Sequence, residues 1–295
     1  MEGTGRPGFA GIEDVGARLE GAGYLTDRTI STVVYLADKL MKPLLVEGPA
    51  GAGKTELAKT LALTLGMPLV RLQCYEGVDE TKTLYEWNYK KQLLRIQAGQ
   101  GASWDELSDD IFSEPFLLER PVLQAIRATE PVVLLIDEVD KLDLEAEALL
   151  LEALADWQVT IPEMGTIRAH QIPFVVLTSN NVRELSEALK RRCLYLFLDY
   201  PDAEREKAIV LERVPGIEEQ LAADVVRIVR NLREMELKKA PSIAETLDWA
   251  RTLIELNVAK IDEDVVRSTL SVLLKFQTDL ENATEHLKLG GAPAR

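Results

Sequence analysis

The chain has 295 residues, of which 46% are hydrophobic and 28% are charged, and its formal net charge is −15. This length allows one large domain or a domain with a smaller appendage, and the acidic excess argues against a broad nucleic-acid-binding surface. The two cysteines, Cys74 and Cys193, are too few for a disulfide framework and favour a reducing, cytoplasmic setting. No apolar segment approaches the roughly 18 residues of a membrane span. Residues 1–25 are predicted to be a flexible lead-in without signal-peptide features.

The first strong pattern is a glycine-rich loop between a predicted strand and a predicted helix. A helix is predicted over residues 26–42, a strand over 44–46 and a further helix over 56–65. The intervening segment GPAGAGKT has the phosphate-binding pattern G-x-x-x-x-G-K-[ST]. Glycines let backbone N–H groups face a phosphate, and the positive end of the following helix adds to the attraction. The predicted nucleotide-binding loop consists of Gly48, Pro49, Ala50, Gly51, Ala52, Gly53, Lys54 and Thr55.

The second strong pattern is an apolar strand that ends in two acids, within PVVLLIDEVDK at 131–141. Five consecutive apolar residues predict a strand buried on both faces, as in a parallel sheet. Ligands of open α/β sheets bind at the carboxyl ends of the strands, where Asp137 and Glu138 stand. Asp137 is predicted to hold Mg²⁺ together with the hydroxyl of Thr55, while Lys54 reaches the β- and γ-phosphates. Glu138 is predicted to be the base that activates the attacking water.

Further strands and helices complete a predicted α/β domain. Asn180, just after the strand at 174–178, is predicted to hydrogen-bond both water and the γ-phosphate. Arg191 and Arg192 close a helix at 185–192. The other predicted elements are a strand at 68–73, a surface helix and loop at 76–91, helices at 117–129 and 145–156, a hairpin within 157–169 and a strand at 194–198.

The pattern then changes to amphipathic helices alone. These are predicted at 202–214, 217–236, 242–257 and 262–282, and Ser242 with Glu245 forms a capping-box pattern for the third. The sequence therefore predicts an α/β nucleotide-binding domain over 26–200, a small all-helical lid domain over 201–288 and a tail over 289–295.

The ordered set of Lys54, Asp137, Asn180 and an arginine pair resembles AAA+ ATPases with a P-loop parallel-sheet core. More narrowly, residues 44–256 resemble the MoxR family, in the branch encoded beside von Willebrand factor A proteins in carbon monoxide dehydrogenase maturation clusters. The segments that carry this resemblance are GPAGAGKTELAKTLA, RLQCYEGVDETKTLYEWNY, LLIDEVDK, SNNVRELSEALKRRCLY and APSIAETLDWA. RLQCYEG and EALKRRC are more specific to this group than the other motifs.

The resemblance implies a role for each matching residue. Residues 48–55 become the Walker A loop, Asp137 and Glu138 the Walker B pair, and Asn180 sensor 1. Arg192, or alternatively Arg191, becomes an arginine finger that acts on ATP held by the neighbouring subunit. One departure is the lack of a sensor 2 arginine early in the third lid helix, where the first arginine is Arg251.

The expected function is Mg²⁺-dependent ATP hydrolysis by a hexameric ring that remodels a partner protein during metalloenzyme maturation. The resemblance implies a von Willebrand factor A protein and a metalloenzyme client as partners. An AAA+ motor on DNA is an alternative that the acidic charge disfavours. A scaffold that binds ATP but barely hydrolyses it is a second alternative, which Glu138 disfavours. Guanine-binding and ABC-transporter signature motifs do not occur in the sequence.

Overall fold

A five-stranded parallel sheet is the centre of the first structural unit in the computed structural model, which describes residues 7–77, 80–98 and 110–286. Its strands, in order across the sheet, are β2 (Leu69–Gln73), β5 (Val133–Asp137), β8 (Phe174–Ser179), β1 (Leu44–Glu47) and β9 (Leu194–Phe197). The three central strands are buried along their whole length, as their apolar runs predict. All five strands run in the same direction, so their carboxyl ends meet at one edge.

Helices and two small two-stranded antiparallel sheets accompany this sheet. One pairs β3 (Tyr85–Trp87) with β4 (Leu117–Glu119), and the other is a hairpin of β6 (Gln158–Ile161) and β7 (Gly165–Arg168). The helices are α1 (Ile12–Gly21), α2 (Arg28–Leu40), α3 (Lys54–Leu65), α4 (Glu80–Thr83), α5 (Tyr89–Ala98), α6 (Pro121–Arg127), α7 (Leu144–Ala155) and α8 (Glu187–Arg192). Short 3₁₀ turns lie at Glu114–Phe116 and Val139–Lys141. The hairpin predicted within 157–169 is therefore present.

The flexible lead-in predicted over residues 1–25 is wrong where α1 forms. Val15 and Leu19, one helical turn apart, are both fully buried, and Phe9 is 1% exposed. The Phe9 N–H donates to the carboxylate of Asp38 on α2 at 3.0 Å. Burial of this apolar face orders a segment whose composition alone predicts a loop.

Two predictions in the segment after β2 are also wrong. Residues 85–87 form a strand rather than a surface helix, and the helix predicted over 117–129 begins only at Pro121, after β4. Tyr85 and Trp87 are buried, and the Trp87 ring packs edge-on against Phe112 with centroids 5.3 Å apart. The pairing of β3 with β4 joins segments about 30 residues apart, which a local pattern does not reveal.

The second unit contains Pro49–Gly53 and the chain from Asp199 onward, so the division falls two residues before the predicted boundary. Its core surrounds Trp249, which is fully buried. Its helices are α9 (Ala203–Arg213), α10 (Glu219–Arg233), α11 (Ile243–Glu255), α12 (Glu263–Leu273) and α13 (Gln277–His286). The capping box of Ser242 and Glu245 is present at the start of α11.

The single helix predicted over 262–282 is two helices, α12 and α13. Leu274 is extended, with φ of −112° and ψ of 136°, and ends α12. The buried Asp279 then accepts hydrogen bonds from the backbone N–H groups of Lys238 at 3.0 Å and Lys239 at 3.3 Å. The chain therefore turns between Leu273 and Gln277, although the amphipathic pattern of the sequence continues through this segment. The predicted tail over 289–295 lies outside the described residues, and in the described part of the chain no helix could span a bilayer.

Candidate functional site

The glycine-rich loop adopts backbone conformations that favour glycine. Gly48, Gly51 and Gly53 have φ values of +154°, +75° and +95°. A Cβ on Gly48 would lie 2.0 Å from the carbonyl oxygen of Leu198, which follows β9. Strand β1 therefore enters the loop through a point where no side chain fits.

Lys54 is the first residue of α3, and its side chain turns back over the loop. The Nζ atom donates to the Gly48 carbonyl oxygen at 2.8 Å, and the residue is only 6% exposed. Burial lowers the pKa of Lys54, while nearby carboxylates counteract the shift, that of Asp140 most strongly. A buried ammonium group beside the N-terminus of a helix can bind phosphate oxygens.

Asp137, the last residue of β5, receives hydrogen bonds from three different elements. Its Oδ1 accepts from Thr55 Oγ1 of α3 at 2.9 Å and from Thr178 Oγ1 of β8 at 2.6 Å. Its Oδ2 accepts from Arg71 Nη2 of β2 at 2.5 Å. The side chain is almost fully buried, so these donors stabilise its charge and fix its orientation.

Glu138 directly follows β5 in a left-handed conformation, with φ of +59°. Its N–H donates to Thr178 Oγ1 at 2.9 Å. Gln73 Nε2 donates to Oε2 at 3.1 Å, Lys141 Nζ lies 2.5 Å from the same oxygen, and Asn180 Nδ2 approaches Oε1 at 3.4 Å. The ion pair with Glu138 raises the pKa of Lys141. The structure thus brings Glu138 and Asn180 together, as their positions after neighbouring strands predict.

The two arginines at the end of α8 differ in their partners. Arg191 Nη2 donates to Glu187 Oε2, one turn earlier on α8, at 2.6 Å. Arg192 Nη1 donates to the carbonyl oxygen of Ala188 at 3.0 Å, and within the described residues it forms no ion pair. Both side chains are exposed, and neither of these two hydrogen bonds reaches the loop or the acids. The structure therefore does not join them to the site of their own chain.

Four residues in contact with Asp137 or Glu138 are absent from the sequence-based prediction: Arg71, Gln73, Thr178 and Lys141. Arg71 and Gln73 lie two positions apart on β2, so they project from the same face. Their alternation with apolar neighbours is a usable signal, because polar residues near the carboxyl end of a strand face the ligand edge. No neighbouring residue in the sequence indicates that Thr178 contacts the acids, because it follows four apolar residues of a buried strand.

Thr55 and Asp137 provide a suitable oxygen pair for Mg²⁺. Their mutual hydrogen bond brings a hydroxyl and a carboxylate together, and both are hard oxygen donors. In residues 7–77, 80–98 and 110–286 no group of three or more His, Cys, Asp or Glu side chains could hold a metal ion. One or two protein oxygens suit Mg²⁺ that is completed by phosphate oxygens and water.

Two backbone oxygens of the loop accept hydrogen bonds within the second unit. Tyr200 Oη donates to the Ala50 carbonyl at 2.9 Å, and the Ile243 N–H donates to the Gly51 carbonyl at 3.4 Å. A Cβ on Gly51 would lie 2.0 Å from the Cβ of Ser242, so glycine is required there too. Arg251, the first arginine of α11, instead pairs with Asp248 on its own helix at 3.1 Å.

Comparison with protein families shows which family the chain belongs to. Residues 44–198, more than half of the chain, match the model described as "ATPase family associated with various cellular activities (AAA)". The chain is an AAA-family ATPase. The match begins with β1 and ends after β9, so it spans the sheet and the acids described above.

Curated relatives and solved structures are similar over most of the chain. An uncharacterized protein of Staphylococcus epidermidis is 26% identical over 259 residues, which cover 84% of this chain and 90% of that protein. An uncharacterized protein of Staphylococcus aureus strain COL is 26% identical over 273 residues, covering 88% and 96%. A mutant of RuvB from Thermotoga maritima has 21% identity and a TM-score of 0.50, covering 91% of this chain and 73% of that chain. The last similarity supports the AAA+ fold, a parallel sheet with a helical C-terminal region.

Substitution of Gly48 by alanine tests the loop geometry. Gly48→Ala should destabilise the protein by roughly 2–6 kcal/mol, because backbone strain adds to an overlap with Leu198. Gly66→Ala is the matched control: its φ is +65° but nothing lies within 4 Å of the added Cβ, so it should cost about 1–2 kcal/mol. Urea unfolding measures both. Equal losses in the two variants would contradict the steric argument.

Proposed function

We propose that the protein hydrolyses ATP in a Mg²⁺-dependent reaction at the carboxyl edge of the parallel sheet. The observation that carries this proposal is the pair of acids at the end of β5: Asp137 is bonded to Thr55 of the loop helix, and Glu138 lies beside Asn180. Residues 48–53, Lys54 and Thr55 act as the phosphate-binding loop. Thr55 and Asp137 hold Mg²⁺, which neutralises charge on the phosphates.

In this proposal each side chain has one chemical task. Lys54 binds the β- and γ-phosphates. Glu138 accepts a proton from the attacking water through a carboxylate oxygen, which generates the nucleophile next to the γ-phosphate. Asn180 donates its amide N–H to Glu138 or to the γ-phosphate and keeps the water in line. The buried position of Lys54 and Asp137 excludes bulk water and strengthens these interactions.

We further propose that the site is shared between subunits of a ring, with a hexamer as the expected form. Arg192 is the preferred finger over Arg191, because Arg191 pairs with Glu187 at 2.6 Å whereas Arg192 has no carboxylate partner in the described structure. An exposed guanidinium that forms no ion pair within the described residues is available to a neighbour's γ-phosphate.

The finer assignment follows from the MoxR-like motifs of the sequence. We propose that the ring remodels a partner protein during maturation of a metalloenzyme, together with a von Willebrand factor A domain protein, in the cytoplasm. Cys74 is buried and Cys193 is half-buried, and both are free thiols, which is compatible with that reducing compartment. Burial raises the pKa of each thiol to about 12, so neither is a ready nucleophile at neutral pH.

Replacement of Glu138 tests the catalytic part. Glu138→Gln should bind ATP as the wild type does but lower turnover by roughly 100-fold or more, because the amide cannot accept the proton of the water. Steady-state phosphate release and titration with a fluorescent ATP analogue measure the two quantities. Glu145→Gln, at an exposed acid of α7, is the control and should leave both unchanged. Unchanged turnover in Glu138→Gln would favour the ATP-binding scaffold.

Mixing two inactive variants tests the shared site. Lys54→Ala retains Arg192 but lacks the phosphate-binding lysine, and Arg192→Ala has the opposite defect. Each alone should be inactive, whereas mixed rings should regain part of the wild-type turnover, because some interfaces combine an intact loop with an intact arginine. Particle mass confirms assembly. A mixture that assembles and stays inactive would exclude Arg192 as a finger, and Arg191→Ala would be tested in its place.

Co-elution with a purified von Willebrand factor A domain tests the proposed partner. Binding should require ATP and be strongest with Glu138→Gln, because that variant keeps the bound nucleotide. Size-exclusion chromatography with ATP, with ADP and without nucleotide provides the comparison. A DNA motor would instead show salt-dependent DNA binding and DNA-stimulated turnover.

A further inference from the structure

A third acid near the end of β5, Asp140, is not explained by the roles proposed above. It lies in the 3₁₀ turn Val139–Lys141 and is 3% exposed. Its Oδ2 accepts hydrogen bonds from two backbone N–H groups of the segment after β8, those of Asn180 at 3.2 Å and Val182 at 2.9 Å. One carboxylate oxygen therefore ties the turn that follows Glu138 to the segment that contains Asn180.

The segment held in this way contains a residue in the left-handed backbone region. Asn181, between the two donors, has a left-handed backbone with φ of +57°, and its N–H donates to Ser179 Oγ at 3.0 Å. The left-handed region is uncommon for residues other than glycine, although asparagine enters it more readily than most. The carboxylate of Asp140 accepts a backbone N–H on each side of Asn181 and so holds this turn in place.

The second oxygen of Asp140 indicates that stability alone does not explain this residue. Oδ1 is buried and has no hydrogen-bond partner among the described residues. An unsatisfied buried acceptor costs about 1–3 kcal/mol, so proteins usually provide such an oxygen with a protein, water or ligand partner. Unsatisfied groups are concentrated at functional sites, where geometry is maintained at the expense of stability.

We propose that Asp140 is a positioning residue for hydrolysis, which acts through the backbone of Asn180 to set the distance between the Asn180 amide and the Glu138 carboxylate. That contact, at 3.4 Å, is long for a hydrogen bond. A shift of the segment by about 1 Å would break it, and misplacement on that scale can cost about 100-fold in rate. This inference rests on the proposed ATP hydrolysis.

Two substitutions separate the hydrogen bonds of Asp140 from its charge. Asp140→Ala removes both acceptors and should lower kcat by roughly 10- to 100-fold. Asp140→Asn keeps an acceptor oxygen on the same stem and should retain most of the activity. Nucleotide affinity should not fall in either variant, because removing a negative charge near Lys54 does not weaken phosphate binding. Equal losses of kcat in the two variants would overturn the proposal in favour of a charge effect on Lys54.

A double-mutant cycle with Asn180→Ala distinguishes positioning from general destabilisation. If Asp140 acts through Asn180, adding Asp140→Ala to Asn180→Ala should cause little further loss of kcat. Additive losses would overturn the proposal. Glu147→Gln is the control, because Glu147 is also a buried carboxylate and does not contact Asn180. It accepts the backbone N–H of Ser186 at 2.9 Å and pairs with Arg183, three residues after Asn180, at 2.8 Å. Glu147→Gln should leave kcat near the wild-type value.

Amide hydrogen exchange gives a readout that does not depend on turnover. The N–H groups of Asn180 and Val182 should exchange faster in Asp140→Ala than in the wild type. In Asp140→Asn they should exchange more slowly than in Asp140→Ala, at a rate near that of the wild type. Unchanged exchange at both amides would overturn the proposed positioning role of Asp140 even if activity fell. Lack of ATP turnover by an assembled wild type would instead refute the proposed function, and exchange would still show whether Asp140 holds the segment.

Discussion

The buried carboxylate of Asp137 is the constraint on which the site depends. It accepts hydrogen bonds from α3, β8 and β2 through Thr55, Thr178 and Arg71. An ionised carboxylate cannot be buried without such donors, because its desolvation is costly. The carboxyl end of β5, the start of the loop helix and two neighbouring strands are therefore fixed relative to one another by one charged group.

The residues that follow Asp137 depend on the same arrangement. Thr178 donates to Asp137 and accepts from the N–H of Glu138, so it supports the left-handed backbone of Glu138. Three residues after Asp137, Asp140 holds the backbone of the segment with Asn180. The polar groups of the site are thus held in place by hydrogen bonds from the protein itself.

The sequence predicted most of the sheet and missed elements that depend on distant partners. Buried parallel strands have continuous apolar runs, and β1, β5 and β8 were therefore recognisable. The first helix, α1, was expected to be a flexible lead-in, because its ordering depends on Val15 and Leu19 packing in the core. The pairing of β3 with β4 and the break between α12 and α13 were likewise missed. Both depend on contacts between segments distant in sequence, in the second case those of Asp279.

For the site, the sequence by itself determined which groups are present: a loop at residues 48–55 with the phosphate-binding pattern, two acids after a buried strand and an amide after another. These features are local, because the loop pattern depends on glycines at fixed spacing, and each strand and the polar residues that follow it are contiguous in the sequence. Only the tertiary structure decided which side chains orient them. Asp137 is contacted by Arg71 and Thr178, and Glu138 by Gln73, all from strands distant in sequence. Asp140 contacts the backbone N–H of Asn180. Hydrogen bonds of this kind follow from the strand order of the sheet, which no local pattern specifies.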